Sequence, residues 1–261
     1  MEQQLWALVL GSSSGFGEAA ALELARLGYN IFGVHLDRRA GMAHVEEIAG
    51  KIRAAGSQAA YFNVNASDAE KRKVVIGRIK DQFQKEPGTV RVLLHSLAFG
   101  TLQPLVGGET DVTPAQMDMT ADVMGHSLVY WTQDLVREGL MQSGGRIYAM
   151  TSSGGTRVMP SYGPVSAAKA ILESHIRQLA MELAPKGITA NAIRAGVTDT
   201  PALRKIPGSD KLLEGALARN PHGRLTTPQD VAAAIGVLAR PETYWMTGNT
   251  IGVDGGEDIV G

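Results

Sequence analysis

The feature that most constrains this chain is a glycine-rich turn set between a short apolar run and a helical pattern. Leu5-Trp6-Ala7-Leu8-Val9-Leu10 passes directly into Gly11-Ser12-Ser13-Ser14-Gly15-Phe16-Gly17, and helical periodicity then continues to Leu27. Small residues let the backbone turn sharply and approach a ligand. The helix start beyond them offers free N–H groups and the positive end of a dipole. Strand, turn and helix in that order form an anion cradle suited to the pyrophosphate of a dinucleotide. An ordinary tight loop has the same composition, so the setting of the turn carries the inference.

That setting is a repeated strand–helix rhythm. Strand candidates are Leu5–Gly11, Asn30–Leu36, Gln58–Val64, Val90–Ser96, Gly145–Thr151, Ile188–Arg194 and Gly248–Asp254. Several are apolar at successive positions, as parallel strands covered on both faces are. Helical patterns lie between them at Gly15–Leu27, Ala43–Ala55, Ala69–Phe83, Pro114–Met141, Pro164–Leu183 and Pro228–Ala239, with Pro164 and Thr227-Pro228 marking two helix starts. The expected fold is α/β: a single Rossmann-type doubly wound parallel sheet with helices on both faces, residues 1–261 forming one dinucleotide-binding and catalytic domain. Residues 201–225 interrupt the rhythm. Leu203, Ile206, Leu212, Leu213 and Leu217 suit a small apolar cover there, either a surface excursion packed on the body or a substrate lid.

Composition removes several function classes. The net charge of -1 gives no broad attraction to nucleic acid or to an anionic membrane. With no cysteine there is no disulfide, thiolate metal site or cysteine nucleophile, and no metal is expected. The first apolar run is too short to span a bilayer and lacks a basic segment before it, so a cytoplasmic location is expected.

The end of the second strand should face the adenosine ribose. It reads His35-Leu36-Asp37-Arg38-Arg39. A carboxylate there accepts bonds from ribose hydroxyls, whereas a guanidinium pairs with a 2′-phosphate. Arg38 and Arg39 favour NADPH over NADH; Asp37 argues the other way. His35 is open between a packed side chain and a ligand contact, and the two arginines between a phosphate site and a solvated face.

Further motifs are Asn191-Ala192-Ile193-Arg194-Ala195-Gly196, Pro221-His222-Gly223-Arg224, Thr247-Gly248 and Val253-Asp254-Gly255-Gly256. With the glycine turn they resemble the short-chain dehydrogenase/reductase superfamily over nearly the whole chain. The resemblance implies a sheet of about seven strands and a homotetramer or dimer. It also implies cofactor contacts at Gly11, Ser12, Ser13, Gly15, Phe16, Gly17, Arg38, Arg39, Asn63, Val64, Ser96, Leu97, Ala98 and Lys169. The segment Ala195, Gly196, Val197, Thr198 and Thr200 would run past the nicotinamide.

Most members of that superfamily carry tyrosine four positions before the active-site lysine. Here that position is Val165, which has no proton to exchange, and a tyrosine stands seven before Lys169, at Tyr162. Tyr-x6-Lys resembles the enoyl-acyl-carrier-protein reductases. So do His95-Ser96-Leu97-Ala98-Phe99, Asp122 and Ala195-Gly196 at the positions of other superfamily motifs. One departure is the retained Gly11-x3-Gly15-x-Gly17 loop, where many bacterial enoyl reductases have a modified one.

The residues support the same chemistry. Gly163 and Pro164 put Tyr162 at a helix mouth with Lys169 two turns inside, so both face one cleft only if Tyr162 keeps near-helical phase. A phenol donates a hydrogen bond at neutral pH, and an ammonium nearby supports a developing oxyanion. The alternatives are a buried aromatic and a solvated helix lysine. Ser152 either assists the tyrosine or belongs to the turn before Gly154-Gly155. Met117, Met119, Met124, Met150 and Met159 suit core or interface packing. Arg204, Lys205 and Lys211 suit an acidic carrier protein or a solvated surface. The function expected is NAD(P)H-dependent reduction of an enoyl thioester, carried on acyl-carrier protein in fatty acid synthesis. The alternatives are a carbonyl reductase or alcohol dehydrogenase of the same superfamily, and a non-catalytic cofactor-binding regulator.

Overall fold

The computed structural model describes residues 3–260. Seven strands form one parallel sheet: β1 (Gln4–Leu10), β2 (Asn30–His35), β3 (Ala59–Asn63), β4 (Gly88–His95), β5 (Arg146–Ser152), β6 (Thr189–Ala195) and β7 (Thr250–Val253). Their order across the sheet is β3-β2-β1-β4-β5-β6-β7, so chain order reverses between β1 and β4. All seven expected strands are present, and the fold is the Rossmann-type α/β architecture anticipated from the strand–helix rhythm.

The apolar strands are apolar because both faces are covered. Successive side chains of a strand point to opposite faces. In β1, Trp6, Leu8 and Leu10 enter one core layer, and Ala7 and Val9 enter the other. The first layer is filled by α3 (Ala69–Lys85), α5 (Ser127–Arg137) and α6 (Gly163–Leu183), the second by α1 (Gly15–Arg26), α2 (Met42–Ala54) and α8 (Pro228–Leu238). Trp6 stacks on Phe32 with ring centroids 4.0 Å apart. The register of β4 against β1 slips at Arg91, a bulge that sends Val90 to the first layer and Val92 to the second. Truncating a fully buried side chain such as Leu8 to alanine would cost about 2–5 kcal/mol.

Two departures from the expected helices bear on the site. The helical stretch from Pro114 runs unbroken to Arg137 but is not a regular α-helix throughout. It comprises α4 (Pro114–Ala121), one π turn (Asp122–His126) and α5, with the Ser127 amide donating to the Asp122 carbonyl five residues back. The extra residue in that turn is invisible to a 3.6-residue pattern. The segment 201–225 contains a regular helix, α7 (Ser209–Arg219), flanked by a short turn at Leu203–Lys205. Caps marked by sequence are in place: Thr227 accepts from the Asp230 amide while the Asp230 carboxylate accepts from Thr227, and Pro164 opens α6. No helix among the described residues is long and apolar enough to cross a membrane.

Candidate active site

The carboxyl ends of the strands open into a cleft at the β1/β4 switch point, where open parallel sheets bind ligands. The turn at the base of its dinucleotide half is shaped by backbone. Gly11 has φ +86°, and a Cβ there would collide with the Ser96 carbonyl oxygen. A Cβ on Gly17 would collide with the Gly11 carbonyl oxygen. The turn therefore tolerates no side chain at either position, and α1 starts directly against the cleft. Ser13, Gly15, Phe16, Val64, Ser96, Leu97 and Ala98 line this half, as expected, in a free volume of ≈ 800 Å³. A cradle without Cβ atoms at a helix N-terminus is what a pyrophosphate requires, so the residues fit a dinucleotide.

Four expected cofactor contacts lie off the cleft wall. Ser12 is fully buried, and both its amide and its hydroxyl donate to the Val34 carbonyl, at 3.1 and 3.2 Å. Its polar groups tie the turn to β2. Gly17 serves close packing of the turn. Asn63 is spent on the Asp37 backbone, donating to its carbonyl and accepting from its amide. Arg39 begins the short turn before α2, and Arg38 alone of the two arginines reaches the cleft. His35 is a buried residue hydrogen-bonded to Asp37, with an edge on the cleft. The wall also includes Asn65, Ala66 and Ser67, whose place just past the end of β3 was the available signal.

The other half is built from side chains of distant segments. Tyr162 caps α6 with φ -96° and ψ -1°, near-helical phase, so it faces the same cavity as Lys169. The residue before it, Ser161, has φ +60° and is the one non-glycine residue with positive φ among the described residues. Burial raises the Tyr162 phenol above its ordinary pKa, with the Ser152 hydroxyl pulling the opposite way. The phenol is therefore a donor across the neutral range. Ser152 belongs to the turn, its oxygen accepting from the Gly154 amide at 3.1 Å, and it also lines the cavity.

Lys169 is buried, and its ammonium donates to the Met150 carbonyl at 2.8 Å. Burial pushes its pKa down to about 8, against the pull of Glu173. Beneath the cleft His95 is fully buried, 2.8 Å from the Ser127 hydroxyl. That hydroxyl gives its proton to the Val123 carbonyl, so His95 Nε2 is the donor between the two side chains. Burial, reinforced by Lys169, holds His95 down at about 3 and hence neutral.

The cavity beyond Tyr162 is apolar, with a free volume of ≈ 260 Å³. Val165, Leu97, Leu102, Met124, Met159 and Ile206 wall it. The methionines expected as packing divide: Met124, Met150 and Met159 face this cavity and Met119 the dinucleotide half, while Met117 lines neither. Ala195, Gly196, Val197, Thr198 and Thr200 run along the wall. That strip is held by a residue with no sequence signal, Glu257. Its buried carboxylate accepts from the Val197 amide at 3.0 Å, and burial raises its pKa.

Ala202, Leu203, Ile206 and Leu212 roof the cavity, whereas Leu217 is exposed. Arg204 is exposed and already paired. It is bidentate to Asp199 and also bonded to Asp210, joining the wall strip to the start of α7. Lys205 reaches the mouth of both halves.

Comparison with known proteins places the chain among reductases. A family model described as enoyl-(acyl carrier protein) reductase matches residues 11–257. A 1-cyclohexenylcarbonyl-CoA reductase from Streptomyces collinus is 31% identical over 97% of this chain and 86% of its own length. A 3-oxoacyl-[acyl-carrier-protein] reductase from Pseudomonas aeruginosa is 30% identical over 96% of each. The solved structure of an enoyl-[acyl-carrier-protein] reductase (NADH) from Aquifex aeolicus superposes with a TM-score of 0.85 at 27% identity, covering 100% of this chain and 98% of that one. With the all-parallel sheet, the glycine cradle and the Tyr-x6-Lys pair now located, the chain belongs to the short-chain dehydrogenase/reductase superfamily and matches its enoyl-(acyl carrier protein) reductase family.

Proposed function

We propose that this nicotinamide-dependent oxidoreductase reduces the trans-2 double bond of an enoyl thioester, with acyl-carrier protein as the carrier and fatty acid synthesis as the setting. The observation that carries the reading is the active-site wall itself. Tyr162 brings a hydroxyl to an apolar cavity, and Val165, four residues before Lys169, brings only methyl groups. A ketone needs a proton on the oxygen of the very carbon that takes the hydride. An enoyl thioester takes the hydride at its β-carbon and meets a donor at its remote carbonyl oxygen while charge collects there as an enolate; a proton then reaches the α-carbon to complete the reduction.

When bound, the reduced nicotinamide supplies the hydride for the β-carbon. Tyr162 donates a hydrogen bond to the thioester oxygen, and this bond strengthens as the oxyanion forms. Burial keeps the phenol protonated for that role. Lys169 holds the cofactor ribose and adds positive potential from beneath. Leu97, Leu102, Met124, Met159 and Ile206 exclude water from the acyl chain, and residues 201–225 act as a lid over it. Arg38, exposed at the cleft and paired with no carboxylate among the described residues, supports NADPH as the preferred cofactor. Superfamily membership supports a homotetramer.

The second reading is carbonyl reduction, and Ser152 beside Tyr162 is the observation that favours it. The deciding assay follows NAD(P)H loss with crotonyl and acetoacetyl thioesters under identical conditions. Efficient turnover of the enoyl substrate with little of the ketone is the expected result. Faster ketone reduction overturns the assignment.

A further inference from the structure

We propose that His35 is a positioning residue for cofactor choice: it ties down the Asp37 carboxylate just past β2, so that Arg38 is the free charge the adenosine ribose meets. The inference rests on the NADPH reading above and adds a mechanism to it.

Asp37 stands where a carboxylate would ordinarily accept from the ribose hydroxyls and repel a 2′-phosphate. In this chain that carboxylate is already occupied. His35 Nδ1 lies 2.8 Å from Asp37 Oδ2, and the His35 side chain is 1% exposed against 28% for Asp37. An ionised carboxylate only accepts, so Nδ1 carries the proton of this bond. The second oxygen faces the loop: a Cβ on Gly41 would lie 2.9 Å from Asp37 Oδ1. The Asp37 backbone is clamped as well. Its amide donates to Asn63 Oδ1 at 3.0 Å, and its carbonyl accepts from Asn63 Nδ2 at 2.9 Å. Backbone and side chain are therefore both fixed from within the protein.

The neighbouring Arg38 has no such commitment. Both residues line the cleft, and of the two only Arg38 is exposed with an uncommitted side chain. A guanidinium beside a carboxylate already engaged suits a 2′-phosphate, since planar N–H donors pair well with phosphate oxygens. Without His35, Asp37 regains freedom to turn toward the ribose. It then competes for the 2′-hydroxyl of NADH and opposes the phosphate of NADPH.

The test is equilibrium binding of NADPH and NADH to the full chain, followed by nucleotide fluorescence, which needs no substrate. The parent protein should bind NADPH more tightly. His35→Ala should lower the NADH/NADPH ratio of Kd values by about tenfold, the scale of one misplaced like charge. His35→Phe fills the same buried space without a donor and should behave like His35→Ala. His35→Asn, whose amide N–H can take the place of Nδ1–H, should restore the parent ratio. In an Asp37→Ala background, His35→Ala should leave the ratio unchanged, because the effect passes through that carboxylate.

A parent that binds NADH more tightly overturns the cofactor reading and this proposal with it. A parent that prefers NADPH, with a ratio that neither His35→Ala nor His35→Phe alters, overturns the His35 role alone. An equal drop in the Asp37→Ala background does the same.

Discussion

The glycine turn at the dinucleotide end of the cleft is shaped by backbone, and the opposite end by side chains. At the first, Gly11 and Gly17 leave no room for a Cβ, and the loop hydroxyl of Ser12 is spent on the Val34 carbonyl. At the second, Tyr162, Lys169 and Ser152 project into an apolar cavity from elements far apart in the chain. The difference shows in electrostatics. Burial raises the Tyr162 phenol and lowers the Lys169 ammonium, so the side-chain end holds a phenol kept protonated and an ammonium close to losing its proton. Backbone recognition depends on shape and is nearly blind to pH; side-chain chemistry depends on burial and is sensitive to it.

The largest expected effect is at the side-chain end. Tyr162→Phe should lower kcat by about 100- to 1,000-fold, the usual loss for one oxyanion donor. Cofactor binding, measured separately by fluorescence, should hardly change. If kcat stays within a factor of about two on a saturating enoyl substrate, Tyr162 is not stabilising the transition state.

Breaking the backbone end should do the reverse. Gly11→Ala forces a Cβ at φ +86° against the Ser96 carbonyl. Cofactor affinity should fall by an amount on the order of 100-fold through strain and a displaced turn. Circular dichroism should report the parent's secondary structure. Unchanged affinity would mean that the turn does not cradle the pyrophosphate.

A smaller effect separates the two ends by pH. Above a pKa of about 8, Lys169 loses its charge. Between pH 7.5 and 9 turnover should fall by roughly tenfold, the loss of the charged form across that interval. Lys169→Met should be slow and flat over the same range. The stability trend has the opposite sign. With its folded pKa below the ordinary lysine value, Lys169 is penalised while charged, so the folded state gains stability as pH rises through about 8 toward that value. A parallel fall of stability and rate would contradict the burial account.

The smallest effect tests the strained residue before the tyrosine. Ser161→Gly removes the left-handed penalty but adds freedom to the unfolded chain, for a net stability change under about 1 kcal/mol. Ser161→Val at φ +60° should cost about 1–3 kcal/mol and slow turnover, as read by thermal melts and kcat.

The sequence was most legible where local pattern and final contact coincide. The strands could be read because parallel strands covered on both faces must be apolar throughout, as Trp6–Leu10 are. The turn of residues 11–17 could be read because close backbone approach excludes side chains. Pattern failed where a side chain's direction mattered. Ser12 and Asn63 were both expected at the cofactor, yet their hydrogen-bonding groups serve β2 and the loop after it. The π turn at Asp122–His126 adds one residue that no periodicity registers.

By itself the sequence determined the parallel sheet, the dinucleotide cradle and the Tyr162–Lys169 pair, because each depends on residues close in the chain or on burial shared by a whole element. Tertiary structure alone decided the rest. It turned Met124, Met150 and Met159 toward the cavity, tied Arg204 to Asp199 and Asp210, and brought Glu257 to the Val197 amide. It also put His35 against Asp37 and buried Lys169 deeply enough to bring its pKa near neutrality. The physical reason is common to all of these. A side chain's partner and its dielectric surroundings are set by what packs around it, and packing joins segments that the sequence holds far apart.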